Sequence, residues 1–527
     1  MTSLLGDGLD PRTPVFIGVG QVAEHVDDSY YTGQSPAELA SSAACNALFD
    51  ATGPAQELGP AQRLAAAIDV VAAVRLFEDS GLAHPSELGR SDNLPRSIAR
   101  RIAAAPQRAI YEVGGGQSPT HLANEFAAEV AAGKADVVLL AGAEALSSAR
   151  HWRAAPHEAA GRPNWNETSP GQLQDRGQGL DDMTAPALAA LGLDFAPAAY
   201  ALFENARRAR LGQTRAQYAR GMGELFAPFT HVAAANPLAA VAERRSPEQL
   251  STPSARNRLI VDPYPRFLVA RDQVNQGAAV LLTSVGRALE LGIPQERLIF
   301  CHGHADVTER DVLERADLSS SPAAVMAVSA ALADAGIEAG ELDFVDLYSC
   351  FPIAVSNIVD VFFPAADRSF TVTGGLPFFG GPGNNYSMHA TVEMVRRLRA
   401  APGSYGMVTA NGGVLSKYSV GIYSSAAAPW QPGRSADLQR EIDAWAAPDL
   451  SHAPHGPARI ESYTVVYERG GARRGIVVGR LVATDERFLA ATRDDPATWA
   501  LLESEQPIGA RVEVATQDGR SQVRAVD

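Results

Sequence analysis

Cysteine is scarce in this chain of 527 residues: Cys45, Cys301 and Cys350 are its three, far apart and without CxxC or CxxH spacing. That excludes a disulfide framework and a zinc site built on paired thiolates. Long apolar runs are also missing. No stretch approaches the roughly 20 residues that a membrane helix needs. The first fourteen residues carry Asp7 and Asp10 around no apolar core, unlike a signal peptide. A cytoplasmic protein with no membrane partner is expected. Positive charge is in deficit, with 45 Lys and Arg against 60 Asp and Glu, a formal net charge of -15 and a pI of about 5.3. That field repels phosphate backbones and argues against nucleic acid as a partner. A polyanionic small molecule would need a local basic patch.

What is present is a globular composition, 46% hydrophobic with 46 Gly and 34 Pro, in a chain long enough for two or three domains. A repeat runs through it. An apolar run over 14–21 is followed by a helix pattern over 35–51 and a second strand over 68–77. The same order returns in the run over 298–304, the helix pattern over 321–336 and the strand over 342–351. Ser-Pro opens both helices, as a cap with proline in the first turn should. Each unit then continues through a glycine turn into a helix and a strand. In the first, Gly114-Gly115-Gly116 feeds a helix over 118–132 and a strand over 136–142. In the second, Gly380-Gly381-Pro382-Gly383 feeds a helix around 388–399 and a strand over 405–411. Apolar strands alternating with helices predict a duplicated α/β core with a parallel-rich sheet. A site is expected where the two glycine turns converge.

The boundaries follow: a first half over 1–150, an Arg-, Pro- and Asn-rich helical insert over 151–295 that returns to that half, and a second half over 296–428. A proline-rich linker over 429–457 leads to a tail over 458–527. Short strands over 463–467, 475–482 and 510–514 make the tail a small OB-like β-barrel.

This duplicated βαβαβ core with a long insert resembles the thiolase superfamily from about Pro14 to Ser425, and most closely the sterol-carrier-protein type. The insert carries that resemblance in Leu211-Gly-Gln-Thr-Arg-Ala-Gln-Tyr218, Asn236-Pro237 and Asn275-Gln-Gly-Ala-Ala279, the last with Gln276 where the family has Asp. With its extra C-terminal domain the chain looks like the bacterial thiolase-like proteins of type 1, often labelled acetyl-CoA acetyltransferases. The resemblance implies a layered α-β-α-β-α thiolase fold and a place in lipid or acyl-CoA metabolism. It implies coenzyme A or acyl-CoA as a ligand, with no tightly bound cofactor, and a monomer or homodimer. It also aligns Gly116 with the nucleophilic cysteine and Gly381 with the activating histidine. The second cysteine falls near Thr409 or Ala410. Tyr348-Ser349-Cys350-Phe351 aligns with the family's His-Asp-Cys-Phe. A covalent thioester needs a thiolate and a base, so thiolysis by the usual route is not expected.

Gly114, Gly115, Ser118, Gly380, Gly383, Asn411 and Gly412 remain as candidates for an anion or oxyanion site built of backbone amides. Arg207 and Arg208, with Arg210, are candidates for a phosphate of coenzyme A, against a solvated helix face. Tyr348, Tyr386 and His389 are the proton-transfer candidates; the last two, three residues apart, share a helix face. Cys350 reads as a packed core thiol. Gly18-x-Gly20-x-x-Ala23 mimics a dinucleotide fingerprint but no helix start follows it, so a plain turn is expected. His302 and His304 share a strand face without a third ligand, and no metal is expected. Three functions stand open: an acyl-CoA binder without thiolysis, a retro-aldol carbon–carbon lyase, and a non-catalytic scaffold whose tail docks a partner protein.

Overall fold

Each half of the core opens on a strand whose glycine lets an alanine-rich helix lie directly on it. In the first half this strand is Pro14–Ala23, and a Cβ on Gly18 or Gly20 would overlap the backbone of Ala47 or Ala43 in the helix Pro36–Thr52. In the second half, Gly303 of the strand Ile299–Thr308 meets the backbone of Ala331 in the helix Pro322–Ala335. The fingerprint-like glycines are thus a helix-packing device inside a continuous strand, not a turn. Ser35 caps its helix through a capping box with Glu38. Ser321, at the equivalent place, makes no cap bond, and only Pro322 keeps the pattern.

The computed structural model describes residues 8–53, 58–81, 85–156, 161–179, 186–364 and 368–526. Ten strands form one sheet, in the order Phe344–Asp346, Tyr405–Gly412, Lys417–Ser424, Ile299–Thr308, Pro14–Ala23, Asn275–Ser284, Val137–Ala145, Val70–Ala73, Arg108–Tyr111 and Gln174–Asp175. The two halves meet where Val15 and Phe16 pair with Phe300 and Ile299. Away from that seam both read alike. The first strand is antiparallel to the last, the last is antiparallel to its neighbour, and that neighbour is parallel to the next. Duplication is therefore visible in strand order. The sheet is mixed rather than parallel-rich, because Asn275–Ser284 and Lys417–Ser424 each insert antiparallel. In the second half a short turn makes that a hairpin; in the first the whole insert intervenes.

The helices Ser118–Ala131 and Tyr386–Ala400 pack together between the sheets of the two halves, and Pro36–Thr52 and Pro322–Ala335 cover the outer faces. This is the layered α-β-α-β-α thiolase fold. Both sheet edges are short, two residues at Gln174–Asp175 and three at Phe344–Asp346, which leaves little unpaired strand for a second chain.

The insert contributes the helices Ala196–Arg210 and Arg215–Ala235, the second opened by a Thr214–Gln217 capping box. The tail closes a five-stranded barrel: Gly456–Tyr467, Arg473–Leu481, Arg487–Thr492, Arg520–Ala525 and Arg511–Gln517, which pairs back to the first. Its third and last strands are parallel, and the helix Pro496–Leu502 lies between the third and fourth in sequence, an OB-like arrangement. Among the described residues no helix is long and apolar enough to cross a membrane.

Candidate functional site

The two glycine turns converge on a cavity of about 840 Å³. Gly116, before the helix Ser118–Ala131, and Gly381 and Gly383, before Tyr386–Ala400, line its floor. Tyr348 and Cys350, just past the strand Phe344–Asp346, and Asn411, Gly412 and Gly413 complete that side. The insert supplies the other wall, including Asp194, Phe195 and Tyr200 and residues between Ala255 and Gln273.

Tyr348 takes the space that a side chain at position 116 would need. A Cβ on Gly116 would overlap the Tyr348 hydroxyl and approach the Asn411 carbonyl to 2.5 Å. That hydroxyl has no hydrogen-bond partner among the described residues. Burial, and then Cys350, raise its pKa above the usual phenol range. Gly381 differs: a Cβ there would meet only ordinary contacts at 3.4 Å with the Arg271 carbonyl and Leu376. Burial pushes the Cys350 thiol up to about 12, so little thiolate exists at neutral pH. Its sulfur lies 3.6 Å from Asn411 Nδ2, which also donates to Tyr200 Oη at 2.8 Å.

The turn amides are largely committed within the protein. Gly114 N–H donates to the Gln178 carbonyl, Gly115 N–H to Asn384 Oδ1, Gly381 N–H to the Arg271 carbonyl and Gly383 N–H to the Gly381 carbonyl. An anion cradle of these amides is therefore not what the turns form. Gly115, Gly380 and Gly383 serve their backbones, with φ of 142°, 127° and 54°. Ser118 Oγ donates to the Val113 carbonyl, Ser349 Oγ accepts from Leu376 N–H, and Gln276 Nε2 ties the Leu238 and Phe379 carbonyls behind the second turn.

Tyr386 and His389 share a helix face, but it does not line the cavity. Tyr386 Oη joins a buried cluster with Thr373 Oγ1 at 2.7 Å and Asp346 Oδ1 at 3.0 Å. Burial raises Asp346 to about 6 despite the hydroxyls and the Val372 amide it accepts from. His389 Nδ1 donates to Gln21 Oε1 at 2.8 Å, and burial lowers its pKa to about 3. Arg207 binds Asp360 at 2.6 and 2.9 Å, and the buried Arg208 donates to the Glu505 and Gln213 carbonyls. Neither reaches the cavity, because their helix turns that face to the second half and the barrel. His302 donates to the Ala426 carbonyl and His304 stacks on Trp430, and no metal-binding group is found among the described residues.

The wall that sequence reasoning missed is basic. Five arginines line the cavity, Arg245, Arg256, Arg258, Arg266 and Arg271, against Asp194 and Asp272. Arg245 pairs with Glu243 at 2.8 Å and lies over the Phe267 ring. The other four are not salt-bridged to any described carboxylate. Burial and the guanidiniums of Arg266 and Arg245 hold Arg271 below the usual arginine range. The one signal in sequence was arginine density between 244 and 271, spread over several short elements with no common period.

Residues 437–520 match the family described as the additional C-terminal domain of thiolase-like protein type 1. Among solved structures, a monomeric SCP2-thiolase like protein type 1 from Mycobacterium smegmatis is 42% identical, aligns over 98% of this chain and 100% of its own, and superposes with a TM-score of 0.82. The Ltp2–ChsH2(DUF35) aldolase is 18% identical over 79% of this chain and 98% of its own, with a TM-score of 0.56. Human mitochondrial 3-ketoacyl-CoA thiolase in complex with CoA is 17% identical over 80% and 100%, with a TM-score of 0.54. These last two share the fold. No curated protein matches the sequence.

Proposed function

The chain belongs to the SCP2-thiolase-like proteins of type 1, and from that premise we propose that it binds coenzyme A or an acyl-CoA between its two glycine turns without performing thiolysis. The observation that carries this is the wall of five arginines in a chain of net charge -15. Arg271, half-buried, feels the like charges of Arg266 and Arg245 without a carboxylate bound to it, and an anion joining them would relieve that repulsion. A cavity of about 840 Å³ holds an extended cofactor with phosphates at the arginine end and a thioester at the Tyr348 end. A solved protein of the same fold carries CoA. Gly116 and Gly381 offer neither a thiolate nor an imidazole to the thioester.

Isothermal titration tests the reading. The wild type is expected to bind CoA, and Arg271→Glu to weaken it by on the order of tenfold or more, the loss of one charge-assisted contact plus a repulsion. Absence of heat from the wild type at high protein concentration would remove the proposal.

One observation favours a second reading, retro-aldol cleavage of a β-hydroxyacyl-CoA: the unpartnered Tyr348 hydroxyl beside the cavity. With its pKa raised it is suited to stabilise an enolate oxygen by a hydrogen bond rather than to take the proton of the β-hydroxyl. That proton would pass to a carboxylate of the cavity wall, Asp194 or Asp272, as the carbon–carbon bond breaks, and from it to the enolate carbon. Mass spectrometry of such esters incubated with the protein decides it; an unconsumed substrate leaves the binding reading alone.

A further inference from the structure

The arginine wall is built on the C-terminal barrel. Arg256, Arg258 and Ile260 line the cavity: Arg256 in a bend closed by the Ser254 and Asn257 backbones, Arg258 just before the strand that begins at Leu259. Asn257, between the two arginines, is fully buried: its amide donates to the Leu250 carbonyl and its oxygen accepts from Phe267 N–H. The strand Leu259–Val261 then joins the barrel's sheet, with Val261 paired to Val466. Beyond Arg459 the barrel's first strand has left its partner Arg511–Gln517, and this added strand meets the edge so exposed.

A clasp holds the junction. Asp262 N–H donates to the Val465 carbonyl. The Asp262 carbonyl accepts from Asn205 Nδ2 at 3.0 Å and Thr464 Oγ1 at 3.1 Å, and Asn205 Nδ2 also reaches the Tyr463 carbonyl. Arg215 spans the Asp262 carboxylate at 2.8 Å and Tyr463 Oη at 2.7 Å. A second contact lies close in sequence to the cavity wall. The Arg474 guanidinium of the barrel fills the space over Gly192, two residues before Asp194 and three before Phe195 in the cavity wall.

We infer that the C-terminal barrel is a positioning element of the ligand cavity, holding Arg256 and Arg258 toward the phosphates of the ligand through the strand it adds to its own sheet. This rests on the coenzyme A reading above. It gives the barrel's exposed strand edge an occupant within the chain, so a partner protein is not needed to cover it. It also explains why a barrel is fused to a thiolase-fold core: the insert segment that carries the arginines is short and irregular, and gains its register from a neighbouring sheet.

The test compares the full-length wild type with Asn205→Ala, which removes the shared donor of the clasp. Arg215→Gln serves as a second variant if the first does not fold, and Arg524→Gln, on the exposed Arg524–Glu513 pair, as a barrel control. Hydrogen exchange over 255–262 and calorimetry with CoA and with pantetheine, which lacks the phosphates, are measured on each. Faster exchange over 255–262 in the clasp variants is expected, with CoA bound roughly tenfold more weakly, as for one lost charge-assisted contact. Pantetheine affinity should stay within about twofold, and the control should match the wild type. A clasp variant with loosened 255–262 and unchanged CoA affinity overturns the inference alone, as does equal protection of that segment in both clasp variants. A wild type that binds no CoA overturns the coenzyme A reading and this one with it.

Discussion

Gly116→Cys is expected to lower the unfolding free energy by about 1–3 kcal/mol, the usual cost of forcing extra atoms into a filled site. The obstacle is not backbone conformation, since Gly116 is not among the glycines with positive φ. It is space: the new Cβ would overlap the Tyr348 hydroxyl, and the Asn411 carbonyl, a fixed backbone atom, closes the other side. Tyr348 must therefore rotate out, breaking its edge-on contact with Tyr386 at 5.6 Å. Tyr348→Ala costs on the order of 3 kcal/mol by itself as a truncated aromatic, but removes the overlap with the hydroxyl, leaving only the Asn411 carbonyl to shift. The double variant should then be less destabilised than the two single costs added, with a coupling of roughly 1 kcal/mol or more. Chemical denaturation of the four proteins measures the cycle. Reactivity follows the same logic. In the double variant the introduced thiol stands free before the helix Ser118–Ala131, where the dipole lowers its pKa, and should react with iodoacetamide faster than in the single variant. A Gly116→Cys protein as stable as the wild type would show that Tyr348 does not hold that space.

The fold was legible because duplication repeats its signals: strand, Ser-Pro, alanine-rich helix, glycine turn, helix, strand. The barrel was legible from its strands of β-branched and aromatic residues after a proline-rich stretch. Mixed strand direction was not, since an antiparallel strand between parallel ones has the same apolar pattern as its neighbours. At the site, the turns pointed to the cavity and Tyr348-Ser349-Cys350-Phe351 pointed to its wall. What failed were inferences from local spacing alone. Arg207 and Arg208 sit on a helix of the right region, but their partners are Asp360, in the second half, and Glu505, in the barrel. Tyr386 and His389 share a face of a helix in the middle layer, whose first turns are packed on all sides, so sharing a face there says nothing of solvent or ligand. Arg256 and Arg258 of the cavity wall stand just before a strand that pairs with one some two hundred residues later.

His389 makes the clearest case, because its burial has a measurable sign. The ring is 0% exposed, packed 5.1 Å from Phe379 between centroids, with Nε2 lacking a partner and Nδ1–H given to Gln21 Oε1. Gln21 is oriented in turn by its own amide, which donates to Glu393. Burial, and then Arg396, hold the imidazole at about 3 against an ordinary 6.5. In the unfolded chain it accepts a proton below about pH 6.5; in the folded chain it does not until about pH 3. The unfolded state therefore binds more protons across that window. Stability is fully present above pH 6.5 and is lost on acidification, at about 1.4 kcal/mol per pH unit from this one residue. His389→Phe removes the titration and brings in a somewhat larger ring, at a pH-independent cost of about 2 kcal/mol for the lost bond to Gln21 and the added volume. Wild type should thus exceed the variant in stability at pH 7 and lose that advantage by pH 5. Denaturant unfolding at pH 7, 6 and 5, ahead of the main carboxylate transitions, reads the difference directly. A gap between the two proteins that stays constant over those values would mean the imidazole titrates normally and is reached by solvent. That is the condition a general base near neutral pH requires, so the same curves that establish a structural histidine also decide whether His389 has any claim on catalysis.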